Sequence, residues 1–259
     1  MSDIDLLAPM TEAAHEVGDF LRAAPVPAPA ATWAEFAHNF EALDRPAADQ
    51  LRARLSGLRP GAAWGEELGD AVPADGEVWV VDAVDGAVQL LQDLPYWSVS
   101  VTLVRDLRPV ATVLHSPVRG ETYTAACGYG ARRNGRLVEP SRKTDLELAL
   151  LATSQPPTVA AQPDAVHAAG RSLSALLPHA GAVRNLGPTS WQIADAAGGR
   201  IDAFWEYGRD DVNLLGGSLV ATEAGLRVTD IEGNPWQAGA ASFVTAPAAL
   251  HDQFLKLLS

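Results

Sequence analysis

The stretch Trp79-Val80-Val81-Asp82-Ala83-Val84-Asp85-Gly86-Ala87 constrains this chain more than any other. A short apolar run ends in two aspartates three positions apart, and a glycine follows at once. That order suits a buried strand that stops, presents acids at its tip and turns into a helix. Carboxylates so placed can hold a hard cation such as Mg2+. The first amides of the next helix can hold an anion such as phosphate. The same residues also suit a plain turn capped by aspartate, so both readings stand at this point.

Charge narrows the choice. The 259 residues carry a net charge of −13, which argues against nonspecific binding to nucleic acid or anionic membrane. An acidic chain that handles phosphate needs a local positive centre, and a divalent metal supplies one. The length allows one large domain or two lobes sharing a core. The single cysteine, Cys127, cannot form an internal disulfide and reads as a small buried thiol. This fits a reducing, cytoplasmic setting. No apolar run approaches membrane-spanning length, and the N-terminus lacks a signal-peptide pattern.

Periodicity predicts an amphipathic helix from Asp5 to Ala23, a loop over 25–34 and a second helix from Arg45 to Leu58 with Pro46 in its first turn. Strands are expected at Val78–Val81, Ser98–Val104, Val110–Ser116 and Glu121–Ala126, the last three as an antiparallel meander, with a hairpin at Asn134-Gly135. From Leu148 onward strands and helices alternate. Helices are expected at Ser190–Ala197, Asn213–Ala224 and Ala246–Leu258, and strands at Ile201–Glu206 and Arg227–Thr229. The whole indicates layered α/β structure. We divide it into an α+β lobe over 1–145 and an α/β lobe over 146–259.

Four acidic features invite convergence: Glu66 with Glu67, the Asp82/Asp85 pair, the Gly86-Ala87 turn, and Glu206-Tyr207-Gly208-Arg209-Asp210-Asp211-Val212-Asn213. Each has a bland reading. Glu66-Glu67 suits a solvated loop, Asn213 a helix N-cap, Asp210 and Asp211 exposed loop acids, and the seven tryptophans the core.

Together these residues resemble the inositol monophosphatase family of Mg2+-dependent, lithium-sensitive sugar phosphatases. The family's first signature, Trp-x-x-Asp-Pro-(Ile/Leu)-Asp-Gly-Thr, corresponds to 79–87, and Gly-Glu-Glu to Gly65-Glu66-Glu67. The second, Trp-Asp-x-Ala-(Ala/Gly)-Gly followed by Thr-Glu-Ala-Gly-Gly, corresponds to 212–217 and 222–226. The resemblance implies a five-layer α-β-α-β-α sandwich, a homodimer, and a small phosphate ester as substrate. It implies that Glu66 and Asp82, with the Val84 carbonyl, hold a first Mg2+ and that Asp82 and Asp85 hold a second. The amides of Gly86 and Ala87 would hold phosphate, Glu206 a substrate hydroxyl, and Asp44 a weaker third metal.

The departures fall on the chemistry. Ala87 replaces the threonine whose hydroxyl helps activate water. Asn213 replaces an aspartate, leaving a neutral ligand for the second metal, and Val212 replaces its preceding tryptophan. Ala83 replaces a proline. These changes lead us to expect reduced or altered phosphatase activity. They keep open a repurposed enzyme that catalyses elimination or cyclisation, and a non-catalytic phospho-ligand binder. Asp210 or Asp211 is a candidate replacement for the missing charge.

Overall fold

The computed structural model describes residues 1–66, 72–157 and 159–258, with only the backbone of Glu66. Among these, seven α-helices and two sheets form the five-layer sandwich. Helices α1 (Leu7–Ala23) and α2 (Trp33–Leu55) cover the outer face of a seven-stranded sheet. That sheet runs in sequence order: β1 (Ala63–Glu66), β2 (Glu77–Asp85), β3 (Ser98–Arg105), β4 (Arg108–Ser116), β5 (Glu121–Ala126), β6 (Ala131–Arg133) and β7 (Arg136–Leu137). β1 is parallel to β2, and the rest is an antiparallel meander.

The second sheet contains β8 (Leu150–Thr153), β9 (Ala182–Arg184), β10 (Ala203–Tyr207), β11 (Arg227–Thr229) and β12 (Ser242–Ala246), in the order β11-β12-β10-β8-β9. Helices α5 (Thr189–Ala197) and α6 (Asp211–Glu223) lie between the sheets, while α4 (Pro163–Leu176) and α7 (Ala248–Leu258) cover the far side. A short helix, α3 (Ala87–Leu91), follows β2.

The middle layer explains the glycines of the second signature. Helix α6 is buried from Asn213 through Ala221, so neighbours press on it from several sides. A Cβ on Gly216 would lie 2.7 Å from the Thr102 hydroxyl, and one on Gly217 would lie 2.9 Å from Ile193 Cβ. Both glycines permit close approach to β3 and α5.

Several expected elements needed correction. Helix α2 begins at Trp33 and runs through Pro46, instead of starting at Arg45 after a loop. Its start is a capping arrangement: the Thr32 hydroxyl accepts from Glu35 N at 3.2 Å, and Glu35 accepts from Ala31 N at 2.7 Å. Burial of Leu43, Ala47, Ala48, Leu51 and Leu55 along one face carries the helix past the proline. Asp44 therefore sits mid-helix, not before the helix. Strand β12 takes Ser242–Ala246, and the last helix starts only after Pro247. Cys127 is an exposed thiol, not a buried one. Trp33 is 79% exposed and lies outside the core.

Candidate metal and phosphate site

Strand β2 does not stop before the aspartates but runs through both. In an unbroken strand, residues three apart point to opposite faces. Here Asp82 pairs with Ser100 and Asp85 with Ser98, so β2 advances three residues while β3 advances two. This is a β-bulge, which re-aims the side chains that follow it. Cross-strand partners share a face, so Asp82 and Asp85 both lie on the face of Ser98 and Ser100. The strand thus delivers two carboxylates to one side.

Each carboxylate is held. Asp82 Oδ1 accepts from Val84 N at 3.0 Å, a turn of the side chain back onto its own strand. Asp85 Oδ2 accepts from the Ser98 hydroxyl at 3.1 Å and from the Ser190 hydroxyl. Both aspartates are buried. The next residue, Gly86, has φ +97 and begins α3. A Cβ there would lie 2.8 Å from Pro188 Cγ and 2.9 Å from the Tyr96 carbonyl oxygen. The turn is therefore wedged between the segment before β3 and the start of α5.

The other half of the site comes from the middle layer and β10. Glu206 is 1% exposed, and its Oε2 accepts from the Thr189 hydroxyl at 3.1 Å. Burial first, then the neighbouring carboxyl of Asp210, and more weakly Asp85, push its pKa well above the usual carboxylate range. Asp210 is the N-cap of α6 and is buried, so it is not the exposed loop acid expected. Its Oδ1 accepts from Asn213 Nδ2 at 2.8 Å. Asn213 lies within the first turn of α6, not at its cap. Asp211 is engaged elsewhere, accepting from Gly239 N at 2.6 Å.

The structure thus gathers Asp85, Glu206, Asp210 and Asn213, and places Asp82 on the same strand face as Asp85. The side chain of Glu66 and all of Glu67 lie outside the described residues; the backbone of Glu66 ends β1 opposite Val81. Among the described residues, no three His, Cys, Asp or Glu side chains group as a metal cage. The donor chemistry nonetheless fits a hard divalent ion. Asp82, Asp85, the Val84 carbonyl and the Asn213 amide offer only oxygens. The buried carboxyls of Asp210 and Asp85 add to burial in raising the Glu206 pKa, and a cation would relieve that part of the field.

Sequence reasoning missed Ser98, Thr189 and Ser190. A signal for Ser98 was present: Ser98, Ser100 and Thr102 alternate with Val99, Val101 and Leu103, a polar face on an otherwise apolar strand. Thr189-Ser190 gave none, because hydroxyl residues after a proline resemble any helix start. Trp191 packs edge-on to Tyr123 with ring centroids 5.2 Å apart, as expected of a packing residue.

Comparison with known proteins places this geometry. The sequence profile of the inositol monophosphatase family matches residues 30–259. The Nus factor SuhB of Pseudomonas aeruginosa is 33% identical over 74% of this chain and 72% of its own length. An inositol-1-monophosphatase of Mesorhizobium japonicum is 31% identical over 73% and 71%. A shorter match to SuhB of Xylella fastidiosa spans 56% of that protein. Among solved structures, inositol monophosphatase from Anabaena superposes with a TM-score of 0.85 at 24% identity, covering 98% of this chain and 95% of that one. Mycobacterium tuberculosis SuhB gives 0.81 at 25%, covering 99% and 96%. The chain belongs to the inositol monophosphatase family.

Proposed function

We propose that this chain is a slow Mg2+-dependent phosphomonoesterase acting on a small hydroxylated phosphate: a sugar, cyclitol or nucleotide phosphate. The bulge between Asp82 and Asp85 carries the reading, since it turns both carboxylates to one face directly before the Gly86-Ala87 turn. In this reading Glu66, Asp82 and the Val84 carbonyl hold one Mg2+. Asp82, Asp85 and Asn213 hold a second. When bound, the divalent ions supply charge neutralisation at the phosphate oxygens and activation of a water.

The chain's own residues set orientation and proton traffic. Two hydroxyls keep Asp85 aimed. The amides of Gly86 and Ala87 cradle the phosphate. Glu206, held by the Thr189 hydroxyl at 3.1 Å, is placed to take a substrate hydroxyl. Ala87 offers no hydroxyl to take a proton from the attacking water. General-base assistance is typically worth about 10²–10⁴ in rate, which is why the activity is proposed to be slow. A cytoplasmic homodimer is the proposed setting, and sedimentation measures the dimer.

The test is release of inorganic phosphate from a panel of sugar, cyclitol and nucleotide phosphates with Mg2+. Ala87→Thr should raise the rate. A second reading rests on the absent hydroxyl at Ala87 and the neutral Asn213: a repurposed enzyme or a phospho-ligand binder. If Ala87→Thr hydrolyses these esters and the wild type hydrolyses none, the phosphatase reading fails and the second one stands.

A further inference from the structure

Asp210 and Asn213 meet across the first turn of α6, at the i and i+3 spacing that brings helix side chains together. The amide NH2 of Asn213 donates to Asp210 Oδ1 at 2.8 Å. Asn213 Oδ1, the one atom of that side chain able to bind a metal, is consequently turned away from Asp210.

We propose that Asp210 is a positioning residue for Asn213. It carries the negative charge that the amide lacks and fixes the amide with its oxygen presented as a ligand. This deepens the Mg2+ reading above and rests on it. The adjacent Asp211 cannot share the role, because its carboxylate is committed to Gly239 N. Glu206 also hydrogen-bonds Asp210 through its side chain, while its Oε2 accepts from Thr189. An aspartate at 213 would therefore place two carboxylates in contact with a third alongside. The acid at 210 and the amide at 213 form one hydrogen-bonded pair.

A mutant cycle of near-isosteric changes tests this: Asp210→Asn, Asn213→Asp and the exchanged double variant, with Asp211→Asn as control. Two readouts are taken, melting temperature in EDTA and Mg2+ affinity by calorimetry. Loss of a residue that orients a metal ligand typically weakens affinity by about 10- to 100-fold, and Asp210→Asn should do so. Asn213→Asp should lower the melting temperature in EDTA by at least about 2 °C, the shift produced by roughly 1 kcal/mol in a protein this large. The double variant should recover both quantities. Asp211→Asn should keep wild-type Mg2+ affinity.

Additive effects in both readouts overturn the proposal. So does wild-type affinity in Asp210→Asn, or an equal loss in Asp211→Asn. A wild type that binds no Mg2+ overturns the metal reading and the ligand role with it. The Asp210–Asn213 pairing is then decided by the EDTA melting cycle alone.

Discussion

Gly86 is the most informative position at which to challenge the site. Its φ of +97 belongs to the left-handed region, which costs an L-residue about 1–2 kcal/mol. Space adds a second penalty. The Cβ of an alanine would lie 2.8 Å from Pro188 Cγ, 2.9 Å from the Tyr96 carbonyl oxygen and 3.2 Å from Trp97 Cα. Two of these three neighbours are backbone, so relief requires moving the chain. Overpacking of this kind typically costs about 1–3 kcal/mol. Gly86→Ala should therefore lose roughly 2–5 kcal/mol, the sum of the two penalties.

Gly225 provides a matched control. Its φ is +90, and a Cβ there meets nothing within 4 Å. Gly225→Ala should lose only the conformational part, about 1–2 kcal/mol. Urea denaturation of the two variants beside the wild type measures the difference. Equal losses in the two variants would refute the claim that the turn is wedged between the segment before β3 and the start of α5. Because Pro188 directly precedes Thr189 and Ser190, relief of the clash must also disturb the hydroxyls on Glu206 and Asp85. Gly86→Ala should consequently lose Mg2+ affinity, and Gly225→Ala should not.

Two further outcomes are expected. Ser190→Ala removes one of two hydroxyls on Asp85 Oδ2 and should weaken Mg2+ binding by about 10- to 100-fold; calorimetric affinity unchanged from wild type would contradict the positioning role. Buried His115 has a pKa pushed down to about 4 by burial first and then by His15, against weaker opposing effects from the Glu121 backbone and Asp19. Its ordinary value is near 6.5, so the unfolded chain binds more protons between those limits. Stability is then complete above about pH 6.5 and falls by about 1–3 kcal/mol as pH drops towards 4. Denaturation midpoints across that range should fall less in His115→Gln, and parallel curves for the two proteins would refute the assignment.

How much of this was legible beforehand depended on whether the determining forces were local. The meander of β3, β4 and β5 could be read because alternation and β-branched residues register directly along the chain. The start of α2 was legible in principle from Thr32 and Glu35, but Pro46 drew attention as a boundary. Burial of its apolar face, a tertiary effect, overrode that local signal. Strand β12 was not expected, and only its last residue, Ala246, fell within the expected helix, because a short apolar run carries no period of its own until a partner strand fixes it.

The sequence by itself determined that an apolar run would deliver Asp82, Asp85 and Gly86 to a strand end. It also located the second segment from Glu206 to Asn213 and the departures from the family pattern at Ala83, Ala87, Val212 and Asn213. Only the tertiary structure decided that one extra residue in β2 would turn both aspartates to the same face. Only it decided that Ser98 and Ser190, 92 positions apart in the chain, would close on one carboxylate oxygen. It also separated two neighbouring acids: Asp210 is drawn inward to Asn213, and Asp211 outward to Gly239. Composition and spacing report what each segment can do alone, whereas the direction of a side chain is set by strand register and by the helix packed against it.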